Sequence, residues 1–302
     1  MKYEKTGFAI QGISPAMITP FTENERVNVP VLKQLVDFLI DSKIHGLFPL
    51  GSQGEFYALN LEEKKLVIET VIEHNNGRLP VYIGAGAVST KETKKIVEIA
   101  EKAGADVVGI ITPYFITPSN DELYQHYLEV AKSTNLPVIL YGNPNRTGVA
   151  LTADLVVRLA EIDNIVGIKD SSGDFTLTCE YIRRITSKFS VLAGRDTLIF
   201  STLMNGGTGA ISATANVAPG LVASIYNRFI AGDQKGAMEA QRKLAPLRIA
   251  FGLGSFPAVI KEAVSLIGIP AGPSRKPVGS LNKASLLALK KVLKEMGIEI
   301  VC

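Results

Sequence analysis

The sequence predicts an α/β protein built as a (β/α)8 TIM barrel with a C-terminal helical appendage. Three observations predict it: short apolar runs rich in Val, Ile and Gly recur eight times, segments of helical periodicity separate them, and strand signals stop at about Asp233. Runs that are apolar throughout and bounded by turn residues read as parallel strands buried on both faces. A doubly wound sheet seldom sustains eight such units, and no GxGxxG follows the first run.

The strands are expected at residues 13–19, 46–50, 81–85, 107–112, 138–141, 165–169, 190–194 and 209–213. Pro80 and Pro137 each introduce one of them. Helices are expected at 29–42, 61–74, 91–102, 121–133, 153–162 and 176–187, with Ser89 and Thr152 placed as N-caps. Beyond the barrel, residues 236–250, 255–267 and 281–296 carry helical periodicity without strands between them. The expected division is therefore a (β/α)8 barrel at 1–232 and a C-terminal helical region at 233–302.

Composition narrows the function classes. The 302 residues are 46% hydrophobic and 20% charged, the balance of an ordinary folded domain. The 32 basic and 29 acidic residues are interspersed, which argues against a nucleic-acid partner. The net charge of +3 is a weak preference for small anionic substrates. Cys179 and Cys302 are too few for a disulfide framework, which points to a reducing compartment. Residues 1–12 lack the apolar core of a signal peptide, and no apolar stretch reaches the length of a membrane span. The expectation is a cytoplasmic protein with no membrane partner.

A barrel of this kind carries its chemistry at the C-terminal ends of its strands. The second run ends in Gly51-Ser52-Gln53-Gly54-Glu55, where a sharp turn would present several N–H groups beside a hydroxyl, a nest for a carboxylate. Taken alone, a turn before a helix is the commoner meaning. The fifth run ends in Tyr141, a phenol able to relay a proton or simply to pack in the core. Arg146 follows it, either as a surface residue or as a fork for a carboxylate. The sixth run, Ile165-Val166-Gly167-Ile168, ends in Lys169. Most lysines are solvated, but one desolvated on a barrel strand has a lowered pKa and an amine free to attack a carbonyl. Metal catalysis is disfavoured because His45, His74 and His126 are dispersed. Gly206-Gly207-Thr208-Gly209 precedes the last strand, on the face away from the chemistry, and reads as a turn.

These segments in this order resemble the dihydrodipicolinate synthase and N-acetylneuraminate lyase family of class I pyruvate-dependent aldolases. The resemblance extends over essentially the whole chain, through Thr112-Pro113-Tyr114, Gly194-Arg195-Asp196, Gly209-Ala210-Ile211-Ser212 with Asn216, and Phe256-Pro257 to Lys261. It implies that Lys169 forms a Schiff base with pyruvate, that Tyr141 shuttles protons beside Ser52, and that no cofactor beyond the covalent lysine adduct is needed. By the same resemblance the backbone of Ser52 and Gln53 holds the pyruvate carboxylate, Ile211 and Gly194 line the substrate, and Arg146 takes the carboxylate of the aldehyde partner. Gln53 stands where Thr is common. A homotetramer built as a dimer of dimers is also implied, with Tyr114 and Phe115 as candidate interface contributors.

Phe115 departs from the family's synthases, which place a second tyrosine there and use it in the proton relay. The first expectation remains a 4-hydroxy-tetrahydrodipicolinate synthase joining pyruvate to aspartate semialdehyde. Aldolases of 2-keto-3-deoxy sugar acids stand second, favoured by Phe115, and N-acetylneuraminate lyase third. A non-catalytic barrel that binds sugar acids is the reading from another class. Lysine-inhibited synthases carry histidines and an asparagine where this chain has Leu61, Lys64 and Val88, so strong inhibition by lysine is not expected.

Overall fold

Seven of the eight expected runs form hydrogen-bonded parallel strands in the computed structural model, which describes residues 10–185 and 188–301. They are β1 (Gly12–Pro15), β2 (Tyr82–Gly84), β3 (Val107–Ile111), β4 (Val138–Gly142), β5 (Ile165–Asp170), β6 (Ser190–Ala193) and β7 (Gly209–Ser212), in the spatial order β1-β7-β6-β5-β4-β3-β2. The second run, 46–50, is the exception and does not form a ladder. It carries only two parallel bridges, Ala16 with Phe48 and Leu47 with Val81. The reason is local: Pro49 has no N–H to donate, and Leu50 turns to a φ of 57° that ends extended backbone.

Those bridges nevertheless close the ring. Met17 N–H donates to the Phe48 carbonyl and Phe48 N–H to that of Pro15, at 2.9 and 3.1 Å. On the other side Leu47 N–H donates to Pro80 and Tyr82 N–H to Leu47, at 2.9 and 2.8 Å. Asn216 stitches the seam from the far end of the barrel sequence. Its amide donates to the Ala16 carbonyl at 2.7 Å and its carbonyl accepts from Ile18 N–H at 3.1 Å.

Helices cover the outside because each has an apolar stripe to bury. Helix Leu61–Asn75 starts on a capping box between Asn60 and Glu63, and helix Thr90–Ala103 on the expected Ser89. Helix Ala153–Leu159 starts on Thr152, also as expected, but ends three residues early. Helix Phe175–Arg184 stops short of 187; residues 186–187, like 1–9 and Cys302, lie outside the described residues. The interior is filled by residues drawn from successive strands, among them Ala16, Phe48, Tyr82, Val107, Ile139, Val166, Leu192 and Ile211. A larger apolar layer lies between strands and helices.

The C-terminal region, helices Gln234–Ile249, Ala258–Leu266 and Lys283–Glu295 with the connection before the last, brings polar anchors back to the barrel. Lys261, fully buried, pairs with Glu55 at 2.9 Å and donates to the Pro273 carbonyl at 2.7 Å. Arg275 donates to the carbonyls of Ala58 and Glu25, at 2.6 and 2.7 Å, and pairs with Glu63. Among the described residues no helix is long and apolar enough to cross a membrane.

Candidate active site

Register places the central pair. Tyr141 on β4 lies opposite Lys169 on β5, after a register shift between Val138 and Ile139. Both side chains therefore leave the sheet on its inner face, the face of Ile139 and Leu192. Lys169 is 3% exposed. Its Nζ sits 3.9 Å from the centroid of the Tyr141 ring and 4.9 Å from that of Phe48. Two aromatic faces stabilise an ammonium by their quadrupoles while keeping water away from the amine. The Phe48 ring fits there because β3 has glycine at position 109: a Cβ on Gly109 would lie 2.7 Å from that ring.

The Tyr141 hydroxyl is held from two sides. It shares a hydrogen bond of 3.2 Å with the Ser52 hydroxyl and accepts another of 3.2 Å from the Asn143 amide. Burial pushes the phenol up, but the Lys169 charge and the bonds from Ser52 and Asn143 together hold it below its ordinary value. A phenol with a lowered pKa, hydrogen-bonded to a hydroxyl and next to an amine, can pass a proton between them.

Ser52 and Gln53 lie in a short 3-10 turn, Ser52–Gly54, closed by bonds from Gly54 N–H to Gly51 and Glu55 N–H to Ser52. Those bonds leave the N–H groups of Ser52 and Gln53 unused by the turn. The Gln53 side chain turns to the appendage, donating to the Pro257 carbonyl at 3.1 Å, while its own carbonyl oxygen is buried without a partner among the described residues. Glu55 ends the segment at a φ of 55° and is locked by Lys261 and by the N–H of Arg275.

A cavity of about 490 Å³ opens over these groups. It gathers Ser52, Gln53, Tyr141, Arg146, Lys169, Gly194 and Ile211, all expected from the sequence. Gly194 is packed too closely for any side chain, because a Cβ there would strike the Ser171 hydroxyl and the Asp170 carbonyl. Arg146 is exposed and stacks on the Phe256 ring, 4.5 Å from its centroid. Tyr114 lies apart from this cavity, against Phe56, lining a neighbouring pocket of about 210 Å³ with Tyr57 and Arg146. Phe115 is 97% exposed on a residue with a φ of 74°, and touches neither cavity.

Several site residues were not singled out from sequence. Phe48 reads as ordinary strand filling, and Asn143 as a turn residue before Pro144. Arg195 is visible only as part of a motif, and Arg248 lies in a helix whose periodicity says nothing about which cavity its last turn reaches. The three histidines are spent elsewhere: His45 on Ile13 and Asn227, His74 on Asp37, His126 on Thr90. Among the described residues no three His, Cys, Asp or Glu side chains gather as a metal site.

A closed parallel barrel with a buried lysine at a strand end, a phenol beside it and a cavity above defines a lyase of the class I aldolase type. The chain belongs to the dihydrodipicolinate synthetase family, whose model matches residues 9–296. A 4-hydroxy-tetrahydrodipicolinate synthase of Methanopyrus kandleri is 37% identical over 97% of this chain and 98% of its own. Another, of Archaeoglobus fulgidus, is 39% identical over 95% and 98%. Among solved structures, the dihydrodipicolinate synthase of Aquifex aeolicus superimposes with a TM-score of 0.94 at 31% identity, over 97% of this chain and all of that one. YagE of E. coli K12, a prophage protein of the same family solved in complex with pyruvate, gives 0.93 at 36% identity over 96% and 99%.

Proposed function

We propose that this chain is a 4-hydroxy-tetrahydrodipicolinate synthase, condensing pyruvate with aspartate semialdehyde through a Schiff base on Lys169. The observation that carries the reading is the buried Lys169 amine, 3.9 Å from the Tyr141 ring, under a cavity that also contains Ser52 and Arg146. The names of the relatives support the same substrates. The unprotonated amine adds to C2 of pyruvate, and the carbinolamine loses its hydroxyl as water, with Tyr141 and Ser52 moving the proton. The resulting iminium draws electrons from the methyl carbon, which gives up a proton to form the enamine. That carbon then attacks the aldehyde, the new alkoxide takes the proton, and the partner's own amino group adds to the iminium carbon and displaces the Lys169 amine, which closes the ring and frees the lysine.

The N–H groups of Ser52 and Gln53 suit the pyruvate carboxylate, and Arg146, steadied by Phe256, suits the carboxylate of the aldehyde. Ile211 and Gly194 shape the wall. The barrel, 1–232, carries the chemistry and the helical region, 233–302, completes the cavity through Phe256, Pro257 and Arg248. No cofactor is required by this scheme, since the iminium itself is the electron sink. We place the protein in the cytoplasm and assemble it as a homotetramer, with the exposed Phe115 and the half-exposed Ile116 beside Tyr114 facing a second copy. Sedimentation at micromolar concentration tests that assembly.

A 2-keto-3-deoxy sugar acid aldolase is the second reading, favoured by one observation: the phenyl ring of Phe115 cannot pass a proton. Both readings share the lysine adduct. Pyruvate with borohydride should fix a covalent adduct on Lys169, and Lys169→Ala should abolish it; a folded wild-type protein that takes no label overturns the lyase reading. Assaying condensation with aspartate semialdehyde against cleavage of 2-keto-3-deoxygluconate then separates the two substrates.

A further inference from the structure

The reaction proposed above leaves two cations of the cavity without a task. Arg195 and Arg248 both line it, together with Arg146 and Lys169. Against these four bases the lining contains one carboxylate, Asp196. Asp196 is buried, and its Oδ1 accepts from Ser212, from the Thr214 hydroxyl and from Thr214 N–H, at 2.5, 2.8 and 3.0 Å. Only Oδ2 reaches Arg248, at 3.4 Å. Arg195 has no carboxylate partner among the described residues; its Nε donates to the Ser171 carbonyl at 3.3 Å.

The two arginines stand on one side of the Schiff-base strand. Arg195 follows β6, and Arg248 comes from the last turn of helix Gln234–Ile249, with its guanidinium 4.4 Å above the Phe251 ring. Arg146 follows β4, on the opposite side of β5 and Lys169. Burial depresses Arg248, Asp196 opposes that, and the charges of Arg195 and Arg146 depress it further, as cations crowded into one cleft must. Such a cleft focuses its field on an incoming anion, and two guanidinium forks bind an oxyanion with paired, charge-assisted hydrogen bonds.

We propose that Arg195 and Arg248 form a second anion subsite, which takes a carboxylate or phosphate at the far end of the carbonyl partner, in addition to the carboxylate held by Arg146. The proposal rests on the lyase reading and goes beyond it: aspartate semialdehyde has a single carboxylate, so an occupied second subsite means that the enzyme also accepts an aldehyde with two anionic groups. Carboxylate and phosphate present the same oxyanion edge to the forks, and the test separates them.

The experiment uses protein in which borohydride has fixed pyruvate on Lys169, so that only the partner's half of the cavity remains to be filled. Glutarate, butyrate and inorganic phosphate are titrated calorimetrically into wild type, Arg195→Gln and Arg248→Gln. Glutarate or phosphate should bind wild type and lose affinity about tenfold or more in each variant, the loss expected of a deleted charge-assisted pair, while butyrate changes little. The tighter of the two identifies a carboxylate or a phosphate end. No binding of either to wild type, or equal affinities in all three proteins, overturns the subsite. Arg248→Lys, which keeps the charge beside Asp196, should fall between, and guards against a glutamine variant that misfolds. If no adduct forms, the lyase reading fails by itself, and the same titrations on unlabelled protein still decide the subsite.

Discussion

Replacing Lys261 with Met removes half of an ion pair that joins the appendage to the segment holding Ser52 and Gln53. The pair is 2.9 Å long, and its side chains are only 2% and 1% exposed. Burial pulls the amine down to about 8 against the opposing pull of Glu55, so the ammonium gains little from being inside. The cost of the substitution comes from the partner left behind. Glu55 would keep a single N–H, from Arg275 at 3.0 Å, for a carboxylate sealed from water. Breaking a buried pair from one side costs about 3–5 kcal/mol, whereas neutralising both sides is often close to free. Lys261→Met should therefore lower the unfolding free energy read from urea denaturation by that amount, and Lys261→Met with Glu55→Gln should recover most of it. The rate of pyruvate labelling at Lys169 should fall in the single variant and rise again in the double, because Glu55 ends the turn that positions Ser52. A loss below about 1 kcal/mol in the single variant, or a double variant worse than the single, would refute the reasoning. The pH dependence has a definite sign. Native Lys261 sheds its proton near 8 and the unfolded chain near 10.5, so between those values the unfolded state binds more protons and wild-type stability rises with pH. The variant should lack that slope.

Other substitutions probe the site and the frame. Tyr141→Phe should lower kcat by roughly 10²–10⁴ with little change in pyruvate affinity, read from steady-state kinetics; equal loss in both would argue against a relay. Gly109→Ala pushes on the Phe48 ring from 2.7 Å and should cost about 1–3 kcal/mol in denaturation while slowing adduct formation, since Phe48 supports Lys169. His126 is buried, bonded to Thr90 through Nδ1, and desolvation pulls it down to about 4. Its unfolded form protonates near 6.5, so stability should fall as pH drops from 6.5 towards 4, by about 3 kcal/mol in all, and His126→Gln should flatten that slope.

Much of the barrel was legible because its signals are local. Apolar runs of strand length, Pro80 and Pro137 before strands, and Ser89 and Thr152 as caps each act through their own backbone. Where neighbours compete, the reading drifted: 46–50 has strand composition, yet Pro49 and the turn at Leu50 reduce it to bridges. Lys169 shows the same division within the site. Its place on an apolar strand is written in the chain, but the order of the surrounding motifs, not the lysine itself, made it stand out.

The sequence by itself determined the alternation of strands and helices, the positions of Ser52, Tyr141, Arg146 and Lys169 at strand ends, and the family they resemble. Only the tertiary structure decided that Tyr141 and Lys169 meet ring to amine, that Asn143 completes the hydroxyl's bonds, and that Arg195 and Arg248 converge on one cavity. The physical reason is one of range. Strand and cap preferences are settled within a few residues, whereas Arg248 and Ser52 share a cavity only after the ring has closed and the appendage has docked, a geometry that no local stretch of chain encodes.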